Sequence, residues 1–335
     1  MRIEDRTVGF GDLTDIPVRI YWPPIEHQTD LPIVAFYHGG GWAIGDLDSY
    51  DATARIHAIA AEAIVVSVDY RLAPEHPFPA AIDDAWAALQ WIGKHAAELG
   101  GDPTRIAVAG DSTGGNISAV MPQLTRDNGG PPVVFQLLWY PATSLDFTLP
   151  SVVDNADAPI LNVDIMTTFL RWYQPPDIDS SDPTALPATL APADAIDLSG
   201  LPPAYIATAQ HDPLRDDGAR YAELLSAAGI SVQLVNAPDA GTRLPELRCD
   251  RTRRSRGHGP RTGSAEVRAS PRLTERDATE LAPAKPGTPV ERSQGFIRHP
   301  PSATRLPSYR EIGQTCFEVD ATRRPDSSNR RMRTR

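Results

Sequence analysis

The chain of 335 residues is poor in several residue types that particular functions demand. Its only cysteines, Cys249 and Cys316, lie beyond position 239, so the longer front part has neither a disulfide nor a Cys-based metal site. No run approaches the roughly 18 apolar residues of a membrane span. The opening MRIEDRTVGFGD carries acids where a secretory signal has a basic and then an apolar stretch, and a cytoplasmic protein without a transmembrane segment is expected. Basic residues are scarce up to Asp239, 11 against 32 acidic, whereas Ala240 to Arg335 has 21 against 11. The acidic front argues against specific nucleic-acid binding; the Arg-rich back could hold polyanions without specificity. All six tryptophans, and 20 of the 23 aromatic residues, precede the charge reversal, so only the front can build a large core.

What is present in that front is alternation. Short apolar or β-branched runs at Val18 to Trp22, Ile33 to Tyr37, Ile64 to Val68, Ile106 to Ala109, Val133 to Tyr140, Ala204 to Ala207 and Val232 to Val235 read as strands. Several are almost continuously apolar, as buried parallel strands are. Ile82, Trp86, Leu89 and Ile92, and later Tyr221, Leu224, Leu225 and Ala228, repeat at helical spacing. Strand and helix in series imply right-handed crossovers and a mostly parallel, doubly wound α/β sheet with its ligand outside the carboxyl ends of the strands. Residues 146–200, rich in Asp, Pro and Ala, interrupt the series and read as a partly helical insertion over those ends.

Three motifs fall at strand ends. Gly110-Asp111-Ser112-Thr113-Gly114 follows Ile106 to Ala109 and precedes a helix expected to start near Asn116. A serine on so tight a turn needs small neighbours, and at a helix N-terminus it meets N–H groups that favour the negative charge of an acyl-transfer intermediate. His38-Gly39-Gly40-Gly41-Trp42 ends another strand; its glycines let the backbone approach a substrate oxygen, with the N–H groups of Gly40, Gly41 and Thr113 as candidate donors. His38 itself is read as ordering this loop rather than acting as a base. The spacing lacks the G-x-G-x-x-G of a phosphate loop. Asp212, after Ala204 to Ala207, stands where a triad acid belongs, in the chain order serine then aspartate, while Asp216 and Asp217 read as helix caps.

Together HGGGW at 38–42, DYRLAPEHPFPAAIDD at 69–84, DPTRIAVAGDSTGG at 102–115 and HDPLRDDG at 211–218 resemble the bacterial hormone-sensitive-lipase family of α/β-hydrolases, over roughly residues 5–239. The resemblance implies hydrolysis of short to medium acyl esters without metal or cofactor, a small-molecule ester as partner, and Ser112 and Asp212 as nucleophile and histidine-orienting acid. The chain departs from the family in three places. It lacks the helical segment that usually precedes the first strand and contributes to the cap, which leaves residues 146–200 to line the pocket. Thr113 replaces the usual alanine, its side chain narrowing the turn. Finally, the family's histidine, in a His-Gly-aromatic motif just past the last strand, is missing: no histidine occurs between His211 and His258.

The genetic code suggests why. Ala240 to Glu246, read one base later, permits Leu-Val-His-Gly-Tyr-Leu, its histidine codon beginning inside the codon of Thr242. With the charge reversal and the excess of Arg, Pro, Ser and Thr beyond it, this points to a frameshift near Asp239. The expected organisation is a hydrolase domain over 1–239 lacking its last helix, followed by a basic, low-order, non-native segment over 240–335. Two alternatives stand beside it: an active esterase using His258, and a non-enzymatic protein whose tail binds polyanions.

Overall fold

The computed structural model describes residues 1–26, 29–175 and 186–242. Among them, eight strands form one sheet, in which β1 (Arg2–Phe10) and β2 (Leu13–Trp22) precede the parallel strands in the order β1-β2-β4-β3-β5-β6-β7-β8. The parallel part comprises β3 (Leu31–Tyr37), β4 (Ile64–Val68), β5 (Gly101–Asp111), β6 (Val133–Trp139), β7 (Ala204–His211) and β8 (Val232–Gly241). Helices α1 (Asp51–Ala61), α2 (Ala80–His95), α3 (Thr113–Asn128) and α6 (Arg215–Ala227) make the crossovers, and the 146–200 segment contributes α4 (Pro150–Asp154) and α5 (Val163–Tyr173). This is the α/β-hydrolase fold with an insertion after β6: the alternating runs imply its mostly parallel, doubly wound sheet, and the family resemblance implies the hydrolase fold.

Side chains alternate across the sheet because successive Cβ atoms point to opposite faces. Ile33, Ala35 and Tyr37 pack with α2 residues such as Leu89 and Ile92, whereas Val34 and Phe36 join Ala54 and Ala58 of α1 on the other face. That second face continues through Phe135, Leu137, Trp139 and Tyr205 toward Val235. Among the described residues α1 is the only helix there, and it packs against β2 and β4.

The sequence reading missed β1 (Arg2–Phe10), which pairs antiparallel with β2 (Leu13–Trp22). The strand is an edge with one buried residue, Val8, so it lacks the apolar run by which its neighbours are recognised. Its charges pair across the ladder instead: Asp5 lies opposite Arg19 and accepts its Nε–H at 2.6 Å. Strands β7 and β8 also run further than their apolar segments, β8 through the buried Ala240 to Gly241, held opposite His211. His258 and all of 243–335 lie outside the described residues, as do 176–185 of the insertion.

Candidate active site

The GDSTGG turn joins β5 to α3. Ser112 has φ 53° and ψ −116°, a conformation unfavourable for a residue with a Cβ, and it is clamped from two sides. Its N–H donates to the Trp139 carbonyl at 2.8 Å, and its own carbonyl accepts from Asn116 at 3.0 Å and Ala142 at 3.2 Å. Helix α3 therefore starts at Thr113, three residues earlier than expected, because the turn itself supplies the first helical acceptor. The glycines are required by contact. A Cβ on Gly114 would fall on the carbonyl oxygens of Tyr37 and His38, and one on Gly110 on the Gly114 carbonyl.

The HGGGW loop leaves the end of β3 beside this turn. Gly40 has φ +123° and Gly41 φ +64°, and the space a Gly41 side chain would need is filled by the Phe169 ring of α5. Among the described residues the N–H groups of Gly40 and Gly41 have no backbone acceptor, and that of Thr113 is the first of a helix, where no helix carbonyl reaches it. All three residues line one cavity with Ser112. His38 is fully buried, stacks on Tyr70 at 4.4 Å, and donates from Nδ1 to the Gly39 carbonyl at 2.8 Å; burial lowers its pKa. It orders the loop, as its place in the motif suggests.

Two side chains join loop and turn: Asp111, to which the motif assigns no role, and Thr113. Asp111 accepts from the Gly39 N–H at 2.9 Å, the Tyr50 hydroxyl at 3.0 Å and the Tyr140 hydroxyl at 3.3 Å. Burial pushes its pKa up to about 6 against those three donors. The Thr113 hydroxyl accepts from the Trp42 N–H at 3.3 Å, so the side chain expected only to narrow the turn ties it to the loop. The signal for Asp111 was its place directly before the serine; Tyr50 and Tyr140 have no local signature.

Asp212 follows β7 and is fully buried. Its Oδ1 accepts from the Leu214 N–H at 2.9 Å, while Oδ2 is buried without a well-formed hydrogen bond among the described residues. The nearby hydroxyl is that of Thr242, immediately past β8, whose Oγ1 also lacks a well-formed hydrogen bond. Burial raises the Asp212 pKa to about 6, against the pull of Leu214 and Thr242. No described histidine hydrogen-bonds to this carboxylate or to Ser112: His57 is engaged at Nδ1 with the Thr53 carbonyl and at Nε2 with the Trp139 indole. Asp216 and Asp217 do not cap α6, whose N-cap is Leu214. Both sit in its first turn and reach outward to the segment after β6, Asp216 to the Ser151 N–H and Asp217 to the N–H groups of Thr143 and Ser144. A turn without a capping geometry leaves a carboxylate free to tether a neighbouring loop, and sequence spacing cannot distinguish the two.

The cavity has a volume of about 820 Å³. Ser112 and Thr113 lie at its floor with Gly40 and Gly41, and Ile165, Met166, Phe169 and Leu170 of α5 enter from the insertion, as expected of a segment over the strand ends. The family described as the alpha/beta hydrolase fold matches residues 34–241. The chain belongs to that family. Among its hormone-sensitive-lipase members it is similar to the carboxylesterase NlhH of Mycobacterium tuberculosis, 69% identical over 238 residues, which are 71% of this chain and 74% of the relative. It is also similar to the esterase LipI of the same organism, 57% identical over 71% of this chain and 73% of the relative. A solved esterase from Pyrobaculum calidifontis is 42% identical, with a TM-score of 0.66, covering 72% of this chain and 77% of that one. This hydrolase has no helix among its described residues long and apolar enough to cross a membrane.

Proposed function

We propose that the chain is built to hydrolyse short to medium acyl esters through a serine acyl-enzyme, and that as written it lacks the base for that reaction. Ser112 is the nucleophile. The N–H groups of Gly40, Gly41 and Thr113 stabilise the oxyanion as the tetrahedral intermediate forms, and Asp212 is the acid that orients the base. The observation that carries this reading is the pairing of a strained serine on an apolar cavity with a buried carboxylate oxygen that has no well-formed hydrogen bond among the described residues, beside a threonine just past the last strand. Without a base, Ser112 is an ordinary alcohol.

The frameshift reading explains the pairing. The shifted frame permits a histidine at position 242, and Thr242 is the residue standing next to Asp212. The family match ends at 241, two positions beyond the charge reversal, and the mycobacterial relative extends beyond the matched part, which is 74% of its length. The natural partner in this reading is a small-molecule ester, held with no metal or cofactor.

The test is hydrolysis of a chromogenic short-chain ester by three purified proteins: the chain as written, its Thr242→His variant, and the protein made after a one-base correction near codon 239. A triad without its histidine loses on the order of 10⁶ in kcat in the serine-protease precedent, so the first should be nearly silent. The corrected protein should be active and should be labelled by an organophosphate at Ser112, with labelling abolished in Ser112→Ala. Turnover at enzymatic rates by the uncorrected monomer, lost in His258→Ala, would make His258 the base and overturn the reading.

A further inference from the structure

We propose that residues 306–319 of this chain fold back as a helix onto the apolar sheet face of β6 and β7 and serve as its cover. The inference concerns what this chain does with that face, and it is independent of whether Ser112 turns an ester over.

The face is buried, yet no described helix packs on it. Phe135 and Leu137 of β6 and Tyr205 of β7 are 3%, 7% and 3% exposed. They point away from α3 and α6, which pack on the other side of the sheet with Leu138 and Ile206. The helix described on their own side, α1, packs against β2 and β4, at least three strand positions from β6. Large apolar side chains so little exposed require a packing partner. Of the residues outside the described set, 27–28 and 176–185 hold a single large apolar side chain, Ile178. The cover is therefore assigned to the chain beyond Thr242, which leaves the sheet from β8, the neighbour of β7.

Within that stretch the sequence singles out one segment. Leu306, Tyr309, Ile312, Cys316 and Val319 recur at intervals of three, three, four and three, with Phe317 alongside, and they are six of the 16 large apolar or cysteine side chains beyond Thr242. Glu311, Gln314, Thr315 and Glu318 fall on the opposite side of the same helical spacing. Ser308 and Glu311 have the spacing of a capping box, which places the helix start just before Tyr309. A helix about 10 Å wide spans two interstrand distances of about 4.8 Å, so one such helix suffices for β6 and β7. The 63 residues between Thr242 and Leu306 reach the face from β8 many times over, and the entropy of closing so long a loop grows only slowly with its length. The acidic excess of the front and the basic excess beyond it favour the same contact.

The experiment uses the full chain, in which Cys249 and Cys316 are the only thiols. With Cys249→Ser in place, Cys316 should react with a chromogenic aromatic disulfide at least about tenfold more slowly in buffer than in urea, because a thiol on the docked stripe is reached only when the segment opens. Ile312→Asp should bring the buffer rate up to the urea rate and raise the fluorescence of an apolar dye. Gln314→Asp, on the opposite side, should change neither by more than about twofold. Benzoylphenylalanine at position 309, photoactivated in dilute protein, should form its adducts with residues 133–139 or 204–209 of the same chain. Equal Cys316 rates with and without urea, or a buffer rate that Ile312→Asp leaves unchanged, overturn the proposal, as do adducts confined to other parts of the chain. Protection that grows with protein concentration, with adducts joining two chains, gives the face to a second copy and overturns it as well.

Discussion

Asp212→Asn should make the protein more stable at neutral pH. Asp212 titrates near its ordinary 3.8 when unfolded, whereas burial raises its pKa to about 6 in the fold. The folded state thus binds the proton more tightly, and the contribution of Asp212 to stability is fully present below about pH 3.8 and lost as the pH rises through about 6. At about 1.36 kcal/mol per pKa unit the displacement amounts to about 3 kcal/mol above pH 7, an upper figure for a group with no exposed surface. The asparagine keeps an acceptor for the Leu214 N–H and carries no charge. Urea unfolding at about pH 7.5 should find Asp212→Asn more stable by up to about 3 kcal/mol, and the difference should close as the pH falls toward about 4. Some pH dependence will remain, because Asp111 is displaced in the same direction to about 6. A variant equally or less stable at neutral pH, with the slope of wild type, would mean that the Asp212 carboxylate is already satisfied, and would refute the reasoning.

Further consequences follow from the joints of the site. Gly114→Ala places a Cβ on two backbone carbonyl oxygens that cannot move aside, and should cost about 3 kcal/mol, the top of the overpacking range; a loss under about 0.5 kcal/mol in urea unfolding would refute it. Thr113→Val removes the acceptor of the Trp42 N–H at nearly constant volume and should cost about 1–2 kcal/mol with faster hydrogen exchange at Trp42, whereas Thr113→Ser should keep that amide protected. Asp217→Ala abandons the donors of Thr143 and Ser144 and should cost about 3 kcal/mol, with proteolysis appearing between 143 and 151; unchanged protease resistance would show that this segment is held by other contacts.

Motif and periodicity located most of the backbone geometry of the candidate site because that geometry is local. A serine between glycines after an apolar run defines its turn within five residues, and the triple glycine defines a loop of close backbone approach in the same way. The helix faces at Ile82 to Ile92 and Tyr221 to Ala228 were legible for a similar reason, since amphipathic spacing reports burial directly. Strand β1 was not, because an edge strand can be stabilised by cross-strand ion pairs such as Asp5 with Arg19 and needs no apolar run. Asp216 and Asp217 were misread because an acid in a first helical turn has the same spacing whether it caps that turn or reaches another segment.

The sequence by itself determined the class of fold, the positions of the GDSTGG turn, the HGGGW loop and Asp212 at strand ends, and the lack of a histidine between 211 and 258. Tertiary structure alone decided what those residues meet. It joined the HGGGW loop to the serine turn through Asp111 and the Thr113 hydroxyl, across 72 and 71 positions respectively. It also brought Thr242 to the buried face of Asp212 by extending β8 alongside β7. Such pairings depend on strand register and on which strand lies beside which, and these are fixed by packing of the whole sheet rather than by any local pattern.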